Sequence, residues 1–257
     1  MGVAFYMEKE QYSLTFPQKN IWLVEKYHKD IGVNTLIGIV NIKRDFNAKT
    51  CILALNDLLK YDENMRIRVD FDGEKATQYV ADYEVEEIEI VDMSKYSDQE
   101  IEEYTQKLAS HSLFLLNEKL FTLKVFEYQD GTGAVCFALH HIISDAWSGG
   151  LIVSKFVKYY ELEKKGQPLS EEVIPSYLDY VVTEKEYAES EKYQKDQAFW
   201  EEYLAGTPKV ASLKKVTKKR KNHAQRYRVV LEQDFNQKLL EFCKENRISP
   251  YTLFMCI

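Results

Sequence analysis

The chain has 257 residues, 45% of them hydrophobic, which is enough to bury the core of one large domain or two small ones. The net charge of -7 argues against a general attraction to nucleic acid. The N-terminus has no basic stretch followed by an apolar run, and no segment approaches the roughly 20 apolar residues of a membrane helix. We therefore expect a cytoplasmic protein that binds neither nucleic acid nor membrane.

The N-terminal half alternates between helical and extended patterns. Thr15 and Gln18 have the spacing of a capping box, which predicts a helix whose apolar face carries Ile21, Trp22 and Val24. The next elements are a strand over 34–43, a helix over Ala48–Lys60, a hairpin over 65–80 turning at Asp72-Gly73, and a half-exposed strand over 84–92.

The second half repeats this alternation. The predicted elements are a helix over Asp98–Leu116, strands over 120–128 and 133–141 joined by "QDGTG", a helix over 151–166, a long charged helix that reaches Trp200 and Tyr203, a strand over 226–232, and helices over 233–248 and from Ser249 onward. Interleaved strands and helices of this kind predict an α/β sandwich with a mixed sheet covered by helices.

The segment "ALHHIISDAWSGG", residues 138–150, has the most distinctive chemistry. His140 and His141 close a strand, and Asp145 follows just before a helix. An imidazole at a strand end can exchange a proton near neutral pH. Adjacent strand residues point to opposite faces, so only one of the two histidines is expected to face a crevice and joint metal binding is disfavoured. The alternative is that both histidines are structural and Asp145 caps the helix.

The four cysteines lack metal-ligand spacing, and we expect reduced, buried thiols and no metal site. The basic run "KKVTKKRK", residues 214–221, has no interleaved aromatic residues, so we interpret it as a solvated loop between lobes and not as a nucleic-acid site.

The segment "HHIISDAWS" resembles the HHxxxDG motif of condensation domains of nonribosomal peptide synthetases and related acyltransferases. Other family motifs occur in the same order: "LTFPQKNIW" is similar to the first, "YDENMRIRV" to the second and "YLDY", residues 177–180, to the fourth. The resemblance spans the chain but only about the first half of a full domain. It implies a chloramphenicol acetyltransferase-like sandwich, with residues 1–207 as the N-terminal lobe and 208–257 as a linker and the beginning of a truncated C-terminal lobe.

The resemblance also implies an activity, which is amide-bond formation between a carrier-bound acyl or peptidyl thioester and an aminoacyl acceptor. His141 would position the acceptor amine or take its proton, His140 would face the core, and Asp145 would pair with Arg66 to hold the loop. Ala146 replaces the usual glycine. No cofactor would be bound directly, because phosphopantetheine arms of carrier proteins bring the substrates. The partners would be peptidyl or acyl carrier proteins and adjacent synthetase domains.

Two other functions are open. One is a coenzyme A-dependent acyltransferase of the same superfamily, and the other is a non-catalytic condensation-like module whose motif has decayed, as Ala146 suggests. The chain closes within an apolar helix, so we expect that the polypeptide continues beyond Ile257 and that this part has little or no activity alone.

Overall fold

A computed structural model describes residues 10–28, 32–169, 175–207 and 229–256. The chain divides into two compact units, Met1–Tyr203 and Leu204–Ile257. In the first unit the strands are β1 (Tyr12–Ser13), β2 (Thr35–Ile42), β3 (Ile67–Phe71), β4 (Ala76–Val80), β5 (Glu89–Asp92), β6 (Phe121–Glu127) and β7 (Gly133–His140). Its helices are α1 (Phe16–Tyr27), α2 (Ala48–Tyr61), α3 (Asp98–Ala109), α4 (Ala146–Lys164), α5 (Tyr177–Ala188) and α6 (Glu191–Tyr203).

The strands form two sheets. One has the order β1-β4-β3 and is antiparallel. The other has the order β2-β7-β6-β5, in which β5 and β6 run parallel and the remaining neighbours run antiparallel. The second sheet is therefore mixed, as the alternation of elements predicts.

Helices cover both faces of the four-stranded sheet. On one face, Val135, Phe137 and Leu139 of β7 belong to a core that α2 and α4 complete. On the other face, Ala134 and Cys136 pack in a cluster with apolar side chains of α3. Side chains alternate between the two faces of a sheet along a strand. Because both faces are covered, β7 is buried along its whole length. The end of β7 is therefore held by packing on both faces of the sheet.

The first helix buries polar side chains where an apolar face is expected. Thr15 and Gln18 form the predicted capping box. The buried residues of α1 are nevertheless Gln18 and Glu25, whereas Val24 is exposed. Seven residues make about two helical turns, so these two side chains share one face of α1.

Two elements are shorter than the sequence predicts. Strand β5 starts at Glu89 and not at residue 84. The side chain of Asn56 binds the backbone N–H and carbonyl of Glu86, so these groups cannot form sheet hydrogen bonds. Helix α3 ends at Ala109, because Gly32 donates its N–H to the carbonyl of Ser110 and the chain turns away. A Cβ on Gly32 would lie 2.0 Å from the carbonyl oxygen of Ala109, so this approach requires glycine.

Two helices also start or stop elsewhere than predicted. Helix α4 begins at Ala146, five residues before the predicted start, because Asp145 caps it. The long charged helix is two helices, α5 and α6, that meet at Ser190. The Ser190 hydroxyl donates to the carbonyl of Tyr187 and accepts from the N–H of Tyr193, so it ends one helix and caps the next.

The second unit contains α7 (Gln233–Glu245) and α8 (Pro250–Cys256), close to the predicted helices. Residues 229–232 are exposed and not in a strand, so that part of the strand prediction over 226–232 is wrong. Residues 226–228 and the basic run over 214–221 lie outside the described residues. Cys51, Cys136 and Cys243 are buried thiols as expected, but Cys256 is exposed. Across the described ranges no helix is long and apolar enough to cross a membrane.

Candidate active site

The two histidines lie where the central strand ends. His140 is the last residue of β7, and its register partner in β2 is Thr35. His141 lies just beyond, and its backbone N–H donates to the carbonyl of Asn34 at 2.7 Å. Its backbone is therefore held by the residue that precedes β2, and the imidazole projects from the end of the sheet.

The ring of His141 is partly exposed and has a defined tautomer. Its Nδ1 atom lies 2.8 Å from the carbonyl oxygen of Ser144. A carbonyl only accepts hydrogen bonds, so Nδ1 must carry the proton and Nε2 of the neutral ring must carry the lone pair. Within the described part of the chain, no hydrogen bond to this Nε2 is found. The arrangement leaves a basic nitrogen available to a substrate.

His140 is fully buried and has a different environment. Its Nδ1 accepts the backbone N–H of Ile142 at 3.1 Å, so its Nε2 carries the proton and donates to Glu25 Oε1 at 3.1 Å. Burial lowers the pKa of His140, against the opposing effect of the Glu25 carboxylate. The imidazole of His140 is thus neutral and links α1 to residues 141–145, the histidine loop.

Asp145 is the N-cap of α4, as the structural alternative proposed. Its Oδ1 accepts the N–H of Ser148 at 2.7 Å, and the Ser148 hydroxyl accepts the N–H of Asp145. Hydrogen bonds from the backbone N–H and the side chain of Ser148 lower the pKa of the Asp145 carboxyl, with a smaller contribution from His141. Ala146 is the exposed first residue of α4 and does not have positive φ, so its Cβ causes no backbone strain here.

Arg66 and Asp145 are both among the described residues, and they do not form the expected ion pair. The guanidinium of Arg66 donates instead to the carbonyls of Ala81 at 2.6 Å and Lys60 at 3.5 Å. Arg66 lies in a short 3₁₀ turn next to β3 and lines a cavity of about 250 Å³ that includes neither Asp145 nor His141. Its contacts therefore stabilise the turn before β3 rather than the histidine loop.

The first motif reaches the histidine loop through Gln18. Its amide pairs reciprocally with the amide of Gln78 on β4, at 2.8 Å in both directions. Its Nε2 also donates to the carbonyl of Ile142 at 3.1 Å. Gln18 and Gln78 are both buried, so this bond fixes the loop that carries His141.

Sequence reasoning missed four residues that hold this loop: Glu25, Asn34, Gln78 and Ser144. The heptad spacing between Gln18 and Glu25 on α1 is the one available signal, because it places both side chains on the face that turns toward the histidines. No cluster of metal-ligating residues is found in the described ranges.

Comparisons with known proteins identify the family. The family model for the condensation domain matches residues 8–257. The chain is 28% identical to one component of the plipastatin synthase of Bacillus subtilis over 97% of this chain and 10% of that protein. It is 26% identical to surfactin synthase subunit 1 of the same species over 98% of this chain and 7% of that protein. The chain therefore spans a tenth or less of the length of these two relatives.

Solved structures show the same fold. The starter condensation domain of the rhizomide synthetase RzmA superimposes with a TM-score of 0.71 at 17% identity, covering 78% of this chain and 49% of that one. The first condensation domain of the calcium-dependent antibiotic synthetase gives a TM-score of 0.72 at 18% identity, covering 79% and 50%. The expected chloramphenicol acetyltransferase-like sandwich is confirmed, and the chain belongs to the condensation domain family.

Proposed function

We propose that this domain forms amide bonds between a carrier-bound acyl or peptidyl thioester and a carrier-bound aminoacyl acceptor, with His141 as the catalytic residue. The observation that carries the proposal is the orientation of one imidazole. Nδ1 of His141 is bonded to the Ser144 carbonyl, and its Nε2 lone pair is free among the described residues. Family membership supports the same activity, since the two relatives named above are synthases of plipastatin and of surfactin.

In this reaction the acceptor amine attacks the thioester carbonyl carbon, so a C–N bond forms and the C–S bond breaks. Nε2 of His141 holds or accepts the proton that the amine nitrogen loses, and that proton passes to the departing thiolate. A histidine that aligns the amine and manages this proton contributes about 10²- to 10⁴-fold to the rate. Asp145 supports the reaction only by starting α4 directly after the loop.

The substrates require partners in addition to the chain. Peptidyl and acyl carrier proteins would present them on phosphopantetheine, so the domain needs no directly bound cofactor, and adjacent synthetase domains would load the carriers. In this proposal, residues 1–207 form the N-terminal lobe and 208–257 the linker and the beginning of the C-terminal lobe, and the protein acts in the cytoplasm.

A second candidate is acyl transfer from coenzyme A thioesters. It is favoured by one structural neighbour, a variant of the RzmA starter condensation domain in complex with C8-CoA, which has a TM-score of 0.73. The two functions differ in the donor. Assays of the full-length protein with octanoyl-CoA and with octanoyl-carrier protein, each with the same aminoacyl-carrier acceptor, separate them. Turnover with octanoyl-CoA alone would replace carrier-dependent condensation by this second function.

The decisive variant is His141→Ala in the full-length protein, with His28→Ala as the matched control. His28 is an exposed histidine at the end of α1, outside the set of loop residues named above. We expect His141→Ala to lower the rate of condensation at least about 100-fold and His28→Ala to leave it unchanged. Full activity of His141→Ala would exclude the catalytic role and favour a non-catalytic module.

A further inference from the structure

We infer that Glu25 is a positioning residue that keeps His141 in its Nδ1-protonated tautomer, through a closed ring of hydrogen bonds. This inference rests on the proposed function, because it concerns how the reactive imidazole is oriented. Glu25 carries a carboxylate in the last turn of α1 and is only 5% exposed. A buried carboxylate is costly unless several donors satisfy it, so its partners indicate what it does.

The ring has five members. Glu25 Oε1 accepts from His140 Nε2 at 3.1 Å, and the His140 carbonyl accepts from the Ser144 hydroxyl at 3.0 Å. The Ser144 carbonyl accepts from His141 Nδ1 at 2.8 Å, and the backbone N–H of His141 donates to the Asn34 carbonyl at 2.7 Å. The ring closes where Asn34 Nδ2 donates to the same Glu25 oxygen at 2.6 Å.

The atom types fix the direction of each bond in the ring. An anionic carboxylate only accepts, so Glu25 requires a donor from His140 and another from Asn34. His140 Nδ1 is occupied by the Ile142 N–H, which leaves Nε2–H as the donor to Glu25. The peptide carbonyl of Ser144 is then held toward His141 and selects the Nδ1–H tautomer, which leaves Nε2 with its lone pair. Oε1 of Glu25 thus holds both His140 and Asn34, which in turn position Ser144 and His141.

Glu25 itself touches no substrate and acts only through His141, so its effect should be on the chemical step and not on binding. Replacing Glu25 by Leu leaves three donors without an acceptor, and the loop must rearrange to satisfy them. They are His140 Nε2, Asn34 Nδ2 and the Ser112 hydroxyl, which donates to Glu25 Oε2 at 3.1 Å. Replacing Glu25 by Gln keeps an acceptor oxygen at the same place. Losing the group that fixes the orientation or tautomer of an imidazole lowers turnover by about 10- to 100-fold or more.

We therefore expect Glu25→Leu in the full-length protein to lower kcat about 10- to 100-fold with KM within about threefold of wild type. Glu25→Gln should retain at least about a third of kcat, because the acceptor remains. The matched control is Asn56→Leu, which removes another buried side chain that binds a loop backbone, that of Glu86. It should reduce stability but not kcat.

A second readout does not depend on activity. The ¹⁵N shifts of His141, assigned by comparison with His141→Ala, should show a protonated Nδ1 in wild type and in Glu25→Gln. In Glu25→Leu they should show a substantial Nε2-protonated fraction. An unchanged tautomer in Glu25→Leu, or an equal loss of kcat in Asn56→Leu, would overturn the inference.

The test remains decisive if Glu25→Leu does not fold, and its outcome can be separated from failure of the proposed function. If Glu25→Leu does not fold, Asn34→Ala removes a single bond of the ring, and we expect a smaller shift toward Nε2 protonation. An unchanged tautomer in that variant would count against the ring. Failure of the proposed function is recognised separately, since His141→Ala would then retain activity whatever the Glu25 variants do to the tautomer.

Discussion

Replacing Gln18 by Met removes a buried amide but keeps nearly the same shape. In the native protein Gln18 Oε1 accepts the backbone N–H of Thr15 at 2.9 Å and the Nε2 of Gln78 at 2.8 Å. After the substitution at least two buried polar groups, the Thr15 N–H and Gln78 Oε1, lack their partner. The carbonyl of Ile142 also loses a donor.

The magnitude follows from these orphaned groups. Each unsatisfied buried polar group costs about 1–3 kcal/mol, and the apolar burial of Met offsets part of this, so we expect a loss of about 3 kcal/mol in the free energy of unfolding. Gln78→Met should cost a similar amount. The double variant removes both amides, so neither is left buried without its partner. It should be about 1–2 kcal/mol more stable than the sum of the two single losses implies.

Urea denaturation followed by tryptophan fluorescence measures this coupling. All three tryptophans, Trp22, Trp147 and Trp200, belong to the first unit, so the signal reports the unit that contains the amide pair. Gln106→Met is the control. This exposed glutamine of α3 bonds Glu102 through its side chain, and its loss should change stability by less than about 0.5 kcal/mol. Strict additivity of Gln18→Met and Gln78→Met would refute the reasoning.

Three further predictions concern stability. Burial and the neighbouring Glu163 raise the pKa of Asp57 to about 6, so its stabilising contribution is present below its ordinary value of 3.8 and is lost as the pH rises through 6. Asp57→Asn should therefore raise the free energy of unfolding from urea denaturation at pH 8 by about 1 kcal/mol after allowance for solvent screening, and the gain should vanish near pH 4. Burial lowers the pKa of His140, so stability is full above its ordinary value of 6.5 and falls below it, and His140→Gln should flatten this acid slope between pH 6.5 and 5. Ala146→Gly at the start of α4 should lower stability by up to about 1 kcal/mol in thermal melts, and a gain would show that a Cβ is strained there.

Much of the fold is predictable because it depends on local patterns. The turn residues between β6 and β7 and the alternation along β7 define a hairpin without reference to the rest of the chain. The same alternation predicts opposite directions for His140 and His141, and the structure buries the first and leaves the second partly exposed. Errors in element ends arise where a distant side chain binds the backbone, as Asn56 does at Glu86.

The support of the site was harder to predict. A glutamate on a helix with basic neighbours usually faces solvent, and nothing local shows that Glu25 is surrounded by donors from three other segments. The expected pairing of Arg66 with Asp145 was wrong for a related reason. Opposite charges in the sequence do not show that two residues are close in space. Backbone carbonyls near Arg66 accept from two of its guanidinium nitrogens, and no carboxylate is among these partners.

The distribution of thiols gives the chain an internal reporter of unfolding. Burial raises the pKa of Cys51 to about 12 and that of Cys136 to about 11, so both sulfurs are protonated and shielded in the folded state. Cys243 is buried in the second unit, and Cys256 alone of the four is exposed. A brief pulse of iodoacetamide should therefore alkylate one cysteine of the native chain, and peptide mapping of each additional alkylated cysteine would identify which unit has opened.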